Sequence, residues 1–179
     1  MNDEEAIKLA KQGRQEGFKN LFSNHADFLF SNAFRILGNK TLAEDAIQDT
    51  FSAAFKAIAS FKGESKFRTW LYKIMYRNSL RIIKQNREIN PNELLPEDNE
   101  SEANIINTKL DVEKVLNLLD ERERSILIMV YHDDLPLKDV AEILEIKENN
   151  AKIVLYRARK RFSEIWSKFN EKEVGTDEL

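Results

Sequence analysis

The residues best suited to bind a polyanion lie near the C-terminal end of the chain. Between Lys152 and Arg161 the sequence holds five Lys or Arg and no acid. When a helix lies in a DNA groove, such cations contact phosphates and base edges. We therefore predict DNA contacts from Lys152, Arg157 and Arg159, while the more terminal bases also suit the negative end of a helix dipole.

A helix-turn-helix pattern positions this basic cluster. Leu137, Val140, Ala141 and Leu144 recur at helical spacing and form one apolar face of a short helix. A tight turn with Ile146 as its one apolar residue follows, and the basic helix comes next. Two short helices with a small residue at their contact and a cationic second helix are typical of DNA-binding units, so DNA is the leading candidate partner.

A second basic block precedes the middle of the chain. Between Lys62 and Arg87 there are eight bases and one acid, whereas an ordinary solvated surface mixes both signs. The bases are interleaved with aromatic residues, a combination typical of single-stranded nucleic-acid binding. We expect Phe67 and Trp70 to be buried and two rings to be exposed, namely Tyr72 and Tyr76.

The pattern along the chain predicts an all-α fold with two small helical domains. Helices are expected at residues 17–37, from a capping box at Thr41, at about 66–85, at 111–119 and at 120–132, followed by the helix-turn-helix. From residue 88 to residue 108 there are six acids and no Lys or Arg, which indicates a flexible acidic linker. The domains are predicted at 1–87 and 108–170, with a linker at 88–107 and a polar tail at 171–179.

The helix that begins near Thr41 has two distinct faces. The expected core stripe comprises Leu42, Ala46, Thr50, Phe51, Ala54, Phe55 and Ile58. The opposite face carries Asp45, Gln48, Asp49, Ser52 and Lys56. Spacing alone gives no reason to prefer a binding role for this polar face over ordinary solvated surface.

Composition and motifs exclude several classes of protein. The chain has no Cys, and its two histidines lie far apart without metal-ligand spacing, so we expect no metal and no other cofactor. No phosphate loop, nucleophile elbow or zinc-protease motif is present, and we expect no enzyme activity. The acidic N-terminus and the lack of a long apolar run predict no signal peptide, no membrane insertion and a cytoplasmic protein.

Two groups of motifs resemble the extracytoplasmic-function (ECF) sigma factors of the sigma-70 family. Their conserved region two is similar to Ala43–Phe51 and Phe61–Ile74 of this chain. Their region four is similar to Leu119–Arg124, Val140–Leu144 and Tyr156–Arg161. The resemblance extends from about Phe18 to Phe169 in the family's order.

This resemblance implies a subunit that binds core RNA polymerase and directs promoter recognition and strand opening. Region two of this chain is implied to bind core polymerase through the face at Asp45, Gln48 and Asp49. The loop Phe61–Ser65 and the following helix are implied to recognise and melt the minus-ten element, including its non-template strand. The DNA-binding residues assigned there are Phe61, Lys62, Lys66, Arg68, Tyr72, Lys73, Tyr76, Arg77, Asn78 and Arg81.

The same resemblance places the recognition helix, Glu148–Lys160, at the minus-thirty-five element, with Asn150 joining the cations named above. The acidic linker is implied to thread the RNA channel of the polymerase. Many relatives have an anti-sigma partner, and the sequence leaves open whether this chain has one.

The chain departs from the family pattern at three places. Glu145 and Lys147 stand where relatives usually carry Gly and Ser, and Lys147 is a poor N-cap, so the recognition helix is expected to begin later, at Asn149 or Asn150. Relatives often carry Thr and other polar or basic residues at three positions of the recognition helix that are occupied here by Asn150, Ile153 and Val154. The Asn common after the WLYxI motif aligns with Arg77, which leaves Asn78 about 100° away around the helix.

Two other classes of protein remain as alternatives. A stand-alone helix-turn-helix regulator would bind duplex operators without polymerase, but it would need neither the polar face nor the acidic linker. A sigma-like decoy that only sequesters an anti-sigma protein would be expected to lack the basic residues of 62–87, which are present.

Overall fold

The computed structural model describes residues 1–89 and 108–174. The chain divides into two compact units, Met1–Glu97 and Asp98–Leu179, here called the N-terminal and C-terminal units. The described residues of both units form helices and turns without a strand, so the predicted all-α fold is confirmed. Most of the predicted linker, residues 90–107, and the end of the predicted tail, residues 175–179, lie outside the described residues.

The described part of the N-terminal unit has four α-helices. They are α1 Asp3–Lys11, α2 Gln15–Leu37, α3 Lys40–Ala57 and α4 Phe67–Ile89. A single 3-10 turn, Ile58–Ser60, follows α3, and residues 61–66 form the loop before α4. The predicted helices at 17–37 and about 66–85 are therefore present, and the second continues further than expected.

The junction between α2 and α3 differs from the prediction in its cap. Gly38 adopts a left-handed φ of 68° and its N–H donates to the Phe34 carbonyl at 2.7 Å, which ends α2 as expected. Asn39 caps α3, because its side-chain oxygen accepts the Leu42 N–H at 3.0 Å. The capping box predicted at Thr41 is wrong, since Asn39 takes that role two residues earlier.

Helix α1 was not predicted from the sequence. Its buried side consists of Ala6 and Ala10, which give only weak apolar periodicity. The Asn2 side chain caps it by accepting the Glu5 N–H at 2.9 Å. Gly17 of α2 permits a close crossing, because a Cβ there would lie 2.5 Å from the Ala10 nitrogen.

Small residues allow α3 to pack tightly in the core of the N-terminal unit. Ala43 and Ala46 are fully buried, as are Leu29 of α2 and Leu71 of α4. The expected core stripe of α3 is wrong at Phe55, which is 58% exposed. Its ring lies 4.4 Å from that of Phe18, at the outer edge of the contact between α2 and α3.

The described part of the C-terminal unit also has four α-helices. They are α5 Thr108–Asn117, α6 Glu121–Leu127, α7 Leu137–Ile143 and α8 Glu148–Val174. The helix predicted at 120–132 is α6 followed by a π-helical turn, Ile128–His132. The fully buried core side chains include Val115, Ile126, Met129 and Val140.

The turn between α7 and α8 is closed by the backbone. The Ile146 N–H donates to the Ala141 carbonyl at 3.0 Å and the Glu145 N–H to the Glu142 carbonyl at 3.2 Å, a Schellman-type helix end. Glu145 has a left-handed φ of 56°, the conformation that glycine normally supplies. Helix α8 begins at Glu148, so the expected later start at Asn149 or Asn150 is wrong.

Candidate functional surfaces

The three polar residues predicted on α3 lie together on its outer face. Asp45, Gln48 and Asp49 are exposed, while Ala43, Ala46 and other small side chains of the same helix are buried against neighbouring helices. A one-turn spacing of three or four residues puts the three polar side chains side by side. This group, the α3 polar face, can form hydrogen bonds and accept an ion pair from a partner.

An ion pair connects the α3 polar face to α4. The Asp49 Oδ2 atom lies 2.5 Å from a guanidinium nitrogen of Arg81, and both side chains are about half exposed, at 53% and 47%. Arg81 also donates to the Gln85 Oε1 atom at 3.1 Å. The two predicted binding surfaces therefore meet at this pair, and Arg81 is not wholly available to a DNA phosphate.

The predicted basic residues of α4 mostly share one face. Spacings of seven, four, four and three residues bring the side chains to a common side of the helix. Four are exposed and Lys73 is half-buried. This set, the α4 basic face, comprises Lys66, Lys73, Arg77, Arg81 and Lys84.

Two of the predicted DNA-binding residues point away from that face. The Arg68 guanidinium lies 3.4 Å from the centre of the Phe28 ring on α2. Asn78 is half-buried and donates to the Thr50 hydroxyl at 3.2 Å. Thr50 in turn donates to the Ala46 carbonyl at 2.6 Å, so Asn78 faces α3, in agreement with its displacement of one position from Arg77.

The expected exposure of the two tyrosines is wrong. Tyr72 and Tyr76 are 1% and 5% exposed, because they project toward the interior of the unit, where the Tyr72 ring lies 5.7 Å from that of Phe28. Trp70, predicted to be buried, is only half-buried. It lies between Lys66 and Lys73 along the chain, at an angle that places it on the α4 basic face.

Trp70 is supported by the residues around the loop. The Phe61 ring is nearly buried, and it lies 5.2 Å from the Trp70 ring and 5.4 Å from that of Phe67. These three rings are called the aromatic cluster below. Lys62, next to Phe61, is exposed beside them. The structure therefore places the exposed cations of the α4 basic face beside the partly exposed Trp70 ring, which packs against Phe61 and Phe67.

The exposed face of α8 is centred on residues that are not among the predicted DNA contacts. Ala151 and Ala158 are fully buried, so the opposite side of the helix faces outward. The central row on that side is Asn149, Ile153, Tyr156 and Lys160, here called the α8 ridge. Ile153 is 50% exposed and Tyr156 is 68% exposed.

The four residues predicted to contact DNA from α8 flank this ridge. Asn150, Lys152, Arg157 and Arg159 are all exposed. Lys152 also lies 3.7 Å from Glu148, one turn earlier, in an exposed ion pair of small energetic weight. The seven-residue spacing of Ala151 and Ala158 is the sequence signal that indicates the ridge, because two small residues two turns apart mark the buried side of a helix.

At the start of α6, the pKa of the Glu123 carboxyl is raised above its ordinary value. Asp120 caps the helix by accepting the Glu123 N–H at 2.8 Å. Partial burial raises the pKa of the Glu123 carboxyl, and the neighbouring Asp120 carboxylate acts in the same direction. This feature belongs to the stability of the C-terminal unit rather than to a reactive site.

The described parts of the chain contain neither a metal-ligand group nor a membrane-spanning helix. Within residues 1–89 and 108–174, no three His, Cys, Asp or Glu side chains are grouped so that they could hold a metal ion. Over the same residues, no helix combines the length and apolar character needed to cross a bilayer.

Two protein-family models match the chain. The model of Sigma-70 region 2 matches residues 21–89, and that of Sigma-70 region 4 matches residues 109–162. The chain is 28% identical over 172 residues to the ECF RNA polymerase sigma factor SigW of Bacillus subtilis (strain 168), covering 86% of this chain and 90% of SigW. It is also 28% identical to the RNA polymerase sigma factor YlaC of the same organism, covering 89% of this chain and 97% of YlaC.

Two solved structures share the fold. CnrH, in complex with the cytosolic domain of CnrY, aligns with a TM-score of 0.71 at 23% identity, covering 93% of this chain and 97% of CnrH. The sigma factor RpoE, in complex with the anti-sigma factor NepR from Bartonella quintana, aligns with a TM-score of 0.65 at 24% identity, covering 84% of this chain and 96% of that chain.

Proposed function

This chain belongs to the ECF group of the sigma-70 family of RNA polymerase sigma factors, and we propose which of its surfaces bind the polymerase and which bind promoter DNA. The chain is a sigma factor that directs RNA polymerase to promoters. The observation that carries this function is the match to both region models in family order, together with relatives aligned over nearly their whole length. The stand-alone regulator is not favoured, because region 2 has no role in such a protein.

The α3 polar face is proposed to bind core polymerase. Asp45, Gln48 and Asp49 offer two carboxylates and an amide on a rigid helix, which suits hydrogen bonds and ion pairs with a partner helix. Gln48→Ala should weaken co-elution with core polymerase while leaving the Asp49–Arg81 pair intact. Asp49→Lys should weaken it further, because it reverses the charge.

Asp27→Lys supplies a matched control for that experiment. Asp27 is exposed on α2 rather than on α3, so the same charge reversal outside the α3 polar face should leave co-elution unchanged. Normal co-elution of the Gln48 and Asp49 variants, or an equal loss with the control, would remove the α3 polar face from the interface.

The loop 61–66 and the α4 basic face are proposed to recognise and open the minus-ten element. Their cations would follow the phosphates of the separated non-template strand. Trp70, rather than Tyr72 or Tyr76, is the ring on this face that is exposed enough to stack on an unpaired base. Stacking of this kind contributes about 1–3 kcal/mol per base, which offsets much of the unpairing cost of a few kcal/mol.

Helix α8 is proposed to enter the major groove at the minus-thirty-five element. The α8 ridge would face the floor of the groove, where base edges are read. The flanking side chains Asn150, Lys152, Arg157 and Arg159 would then reach the groove walls and phosphates. Ile153 suits apolar contact with a thymine methyl group, so this helix should favour an element that contains thymine.

The remaining assignments concern the linker and the protein's setting. The domains are proposed as 1–87 for region two and 108–170 for region four, with the acidic residues of 88–107 passing through the basic RNA channel of the polymerase. The protein would act in the cytoplasm on the polymerase and carry out no chemistry itself, since the polymerase catalyses RNA synthesis.

An anti-sigma protein is proposed as a further partner. RpoE, which shares the fold of this chain, was solved in complex with the anti-sigma factor NepR, and CnrH was solved in complex with the cytosolic domain of CnrY. Affinity purification of the tagged chain, followed by a transcription assay with the recovered companion, tests the proposal. A companion that binds without inhibiting transcription would contradict it.

Run-off transcription of fragmented genomic DNA tests the function as a whole. Sigma-free core polymerase is assayed with and without the protein, and RNA 5′ ends are mapped. Discrete new start sites that share two spaced upstream motifs are expected. Absence of new starts, combined with tight binding of duplex DNA by the protein alone, would instead favour the stand-alone regulator.

A further inference from the structure

We infer that helix α1 positions the aromatic cluster for promoter opening, with Lys11 as the positioning residue. The inference rests on the function proposed above for the loop 61–66 and the α4 basic face. Helix α1 lies outside residues 21–89, the part of the chain that matches the Sigma-70 region 2 model.

Lys11 holds the residue at the start of the loop. Its ammonium group donates to the Phe61 carbonyl at 2.6 Å and lies 5.8 Å from the centre of the Phe61 ring. A charged donor makes a stronger hydrogen bond than a neutral one, and the ring adds a cation–π attraction. Both contacts restrain the backbone and the side chain of Phe61 where α3 has ended and α4 has not begun.

The position of Phe61 determines the support behind Trp70. The Phe61 ring packs against both Trp70 and Phe67, and Trp70 is the partly exposed ring on the α4 basic face. Packed rings transmit a shift because the interior has little free space. Release of Phe61 should therefore loosen the orientation of Trp70 without removing a cation from α4.

Helix α1 is itself a fixed support. Gly17 lets α1 and α2 cross closely. Asp3 accepts one hydrogen bond from the Asn24 side chain at 3.2 Å and pairs with the buried His25 ring at 2.8 Å. The His25 ring also lies 5.5 Å from the Phe67 ring. Helix α1 thus reaches the aromatic cluster by two routes, from Lys11 to Phe61 and from Asp3 through His25 to Phe67.

The test compares Lys11→Met with Lys11→Arg and with Lys8→Met in the full-length chain. Lys8 is an exposed lysine on the same helix, so its variant controls for the loss of one charge on α1. Open-complex formation by holoenzyme is measured on a promoter identified by the start-site mapping, at several salt concentrations. Labelling with 5-fluorotryptophan gives a ¹⁹F resonance for Trp70 that reports its environment in the free protein.

Lys11→Met is expected to shift the Trp70 resonance and to slow open-complex formation about three- to tenfold, the range expected for one lost hydrogen bond. Lys11→Met should not change core binding or the salt dependence of opening. Lys11→Arg should restore the rate of opening, and Lys8→Met should open promoters at the rate of the parent protein. A loss of about one unit of salt slope would make Lys11 a phosphate contact and overturn the inference. Unchanged opening would also overturn it, whereas failure of the parent holoenzyme to initiate would refute the proposed function instead.

Discussion

Substitution of Glu145 by glycine should stabilise the C-terminal unit. Glu145 occupies the left-handed position that ends α7, with a φ of 56°. An L-residue with a Cβ is disfavoured in this conformation by about 1–2 kcal/mol. Glycine removes that strain but gains freedom in the unfolded chain, which reduces the benefit by about 0.5–1 kcal/mol.

Alanine at the same position provides the reference state. Glu145→Ala removes the side chain and any interaction that it makes, yet it retains a Cβ and therefore the strained backbone. The free energy of unfolding should be about 1 kcal/mol higher for Glu145→Gly than for Glu145→Ala. In a unit of this size, that difference corresponds to a rise in Tm of about 4–8 °C.

The assay must resolve the two units, because a two-domain chain need not unfold in one step. The chain contains two tryptophans, Trp70 in the N-terminal unit and Trp166 in the C-terminal unit. Their separate ¹⁹F resonances, followed through a urea titration, report one transition for each unit. If the glycine variant were no more stable than the alanine variant, or if only the Trp70 transition moved, the strain argument would be refuted.

Three further predictions concern DNA contacts and pH. Promoter opening should weaken when the three central cations of the α4 basic face are neutralised, namely Lys73, Arg77 and Arg81. The slope of its logarithmic salt dependence should fall by roughly one unit per lost phosphate contact. An unchanged slope in open-complex assays would exclude this face from DNA binding. Replacing one minus-thirty-five thymine by uracil deletes only a methyl group. This change should reduce initiation by the parent protein about fourfold but should not reduce initiation by the Ile153→Ala variant. Equal losses in both proteins would show that Ile153 does not contact that methyl group. Glu123→Gln should stabilise the C-terminal unit at pH 7, because the raised pKa of Glu123 means that folding disfavours its charged carboxylate. This gain in the free energy of unfolding should shrink as the pH falls through the ordinary carboxyl pKa of 4.5. A gain that is the same at pH 7 and pH 4 would contradict the assignment.

Periodicity in the sequence was sufficient to predict much of the fold. The helices of both units follow from apolar spacing, and Gly38 marks the end of α2 as predicted. Helix α1 escaped prediction because its buried side is alanine, which contributes little to an apolar pattern. Its place depends on the close crossing at Gly17, a contact with a neighbouring helix that α1's own residues do not encode.

The surfaces were only partly predictable. The α3 polar face and the α4 basic face follow from residue type and a rotation of about 100° per residue. The same rotation places Trp70 on the α4 basic face and Tyr72 about 200° further around the helix, but it does not determine how far a neighbouring element covers each ring. The exposure of each ring depends on what packs against it, and Phe28 of α2, whose ring contacts that of Tyr72, comes from a distant part of the sequence.

By itself, the sequence determined the all-α class, the two basic blocks and the family resemblance, because local spacing and residue chemistry are properties of neighbours along the chain. The tertiary structure alone decided that Tyr72 and Tyr76 are buried, that Asp49 pairs with Arg81, and that Lys11 holds Phe61. Each of these features requires residues more than 20 positions apart to meet, or a side chain to be covered by another helix. Such contacts depend on how whole helices pack, which local periodicity does not specify.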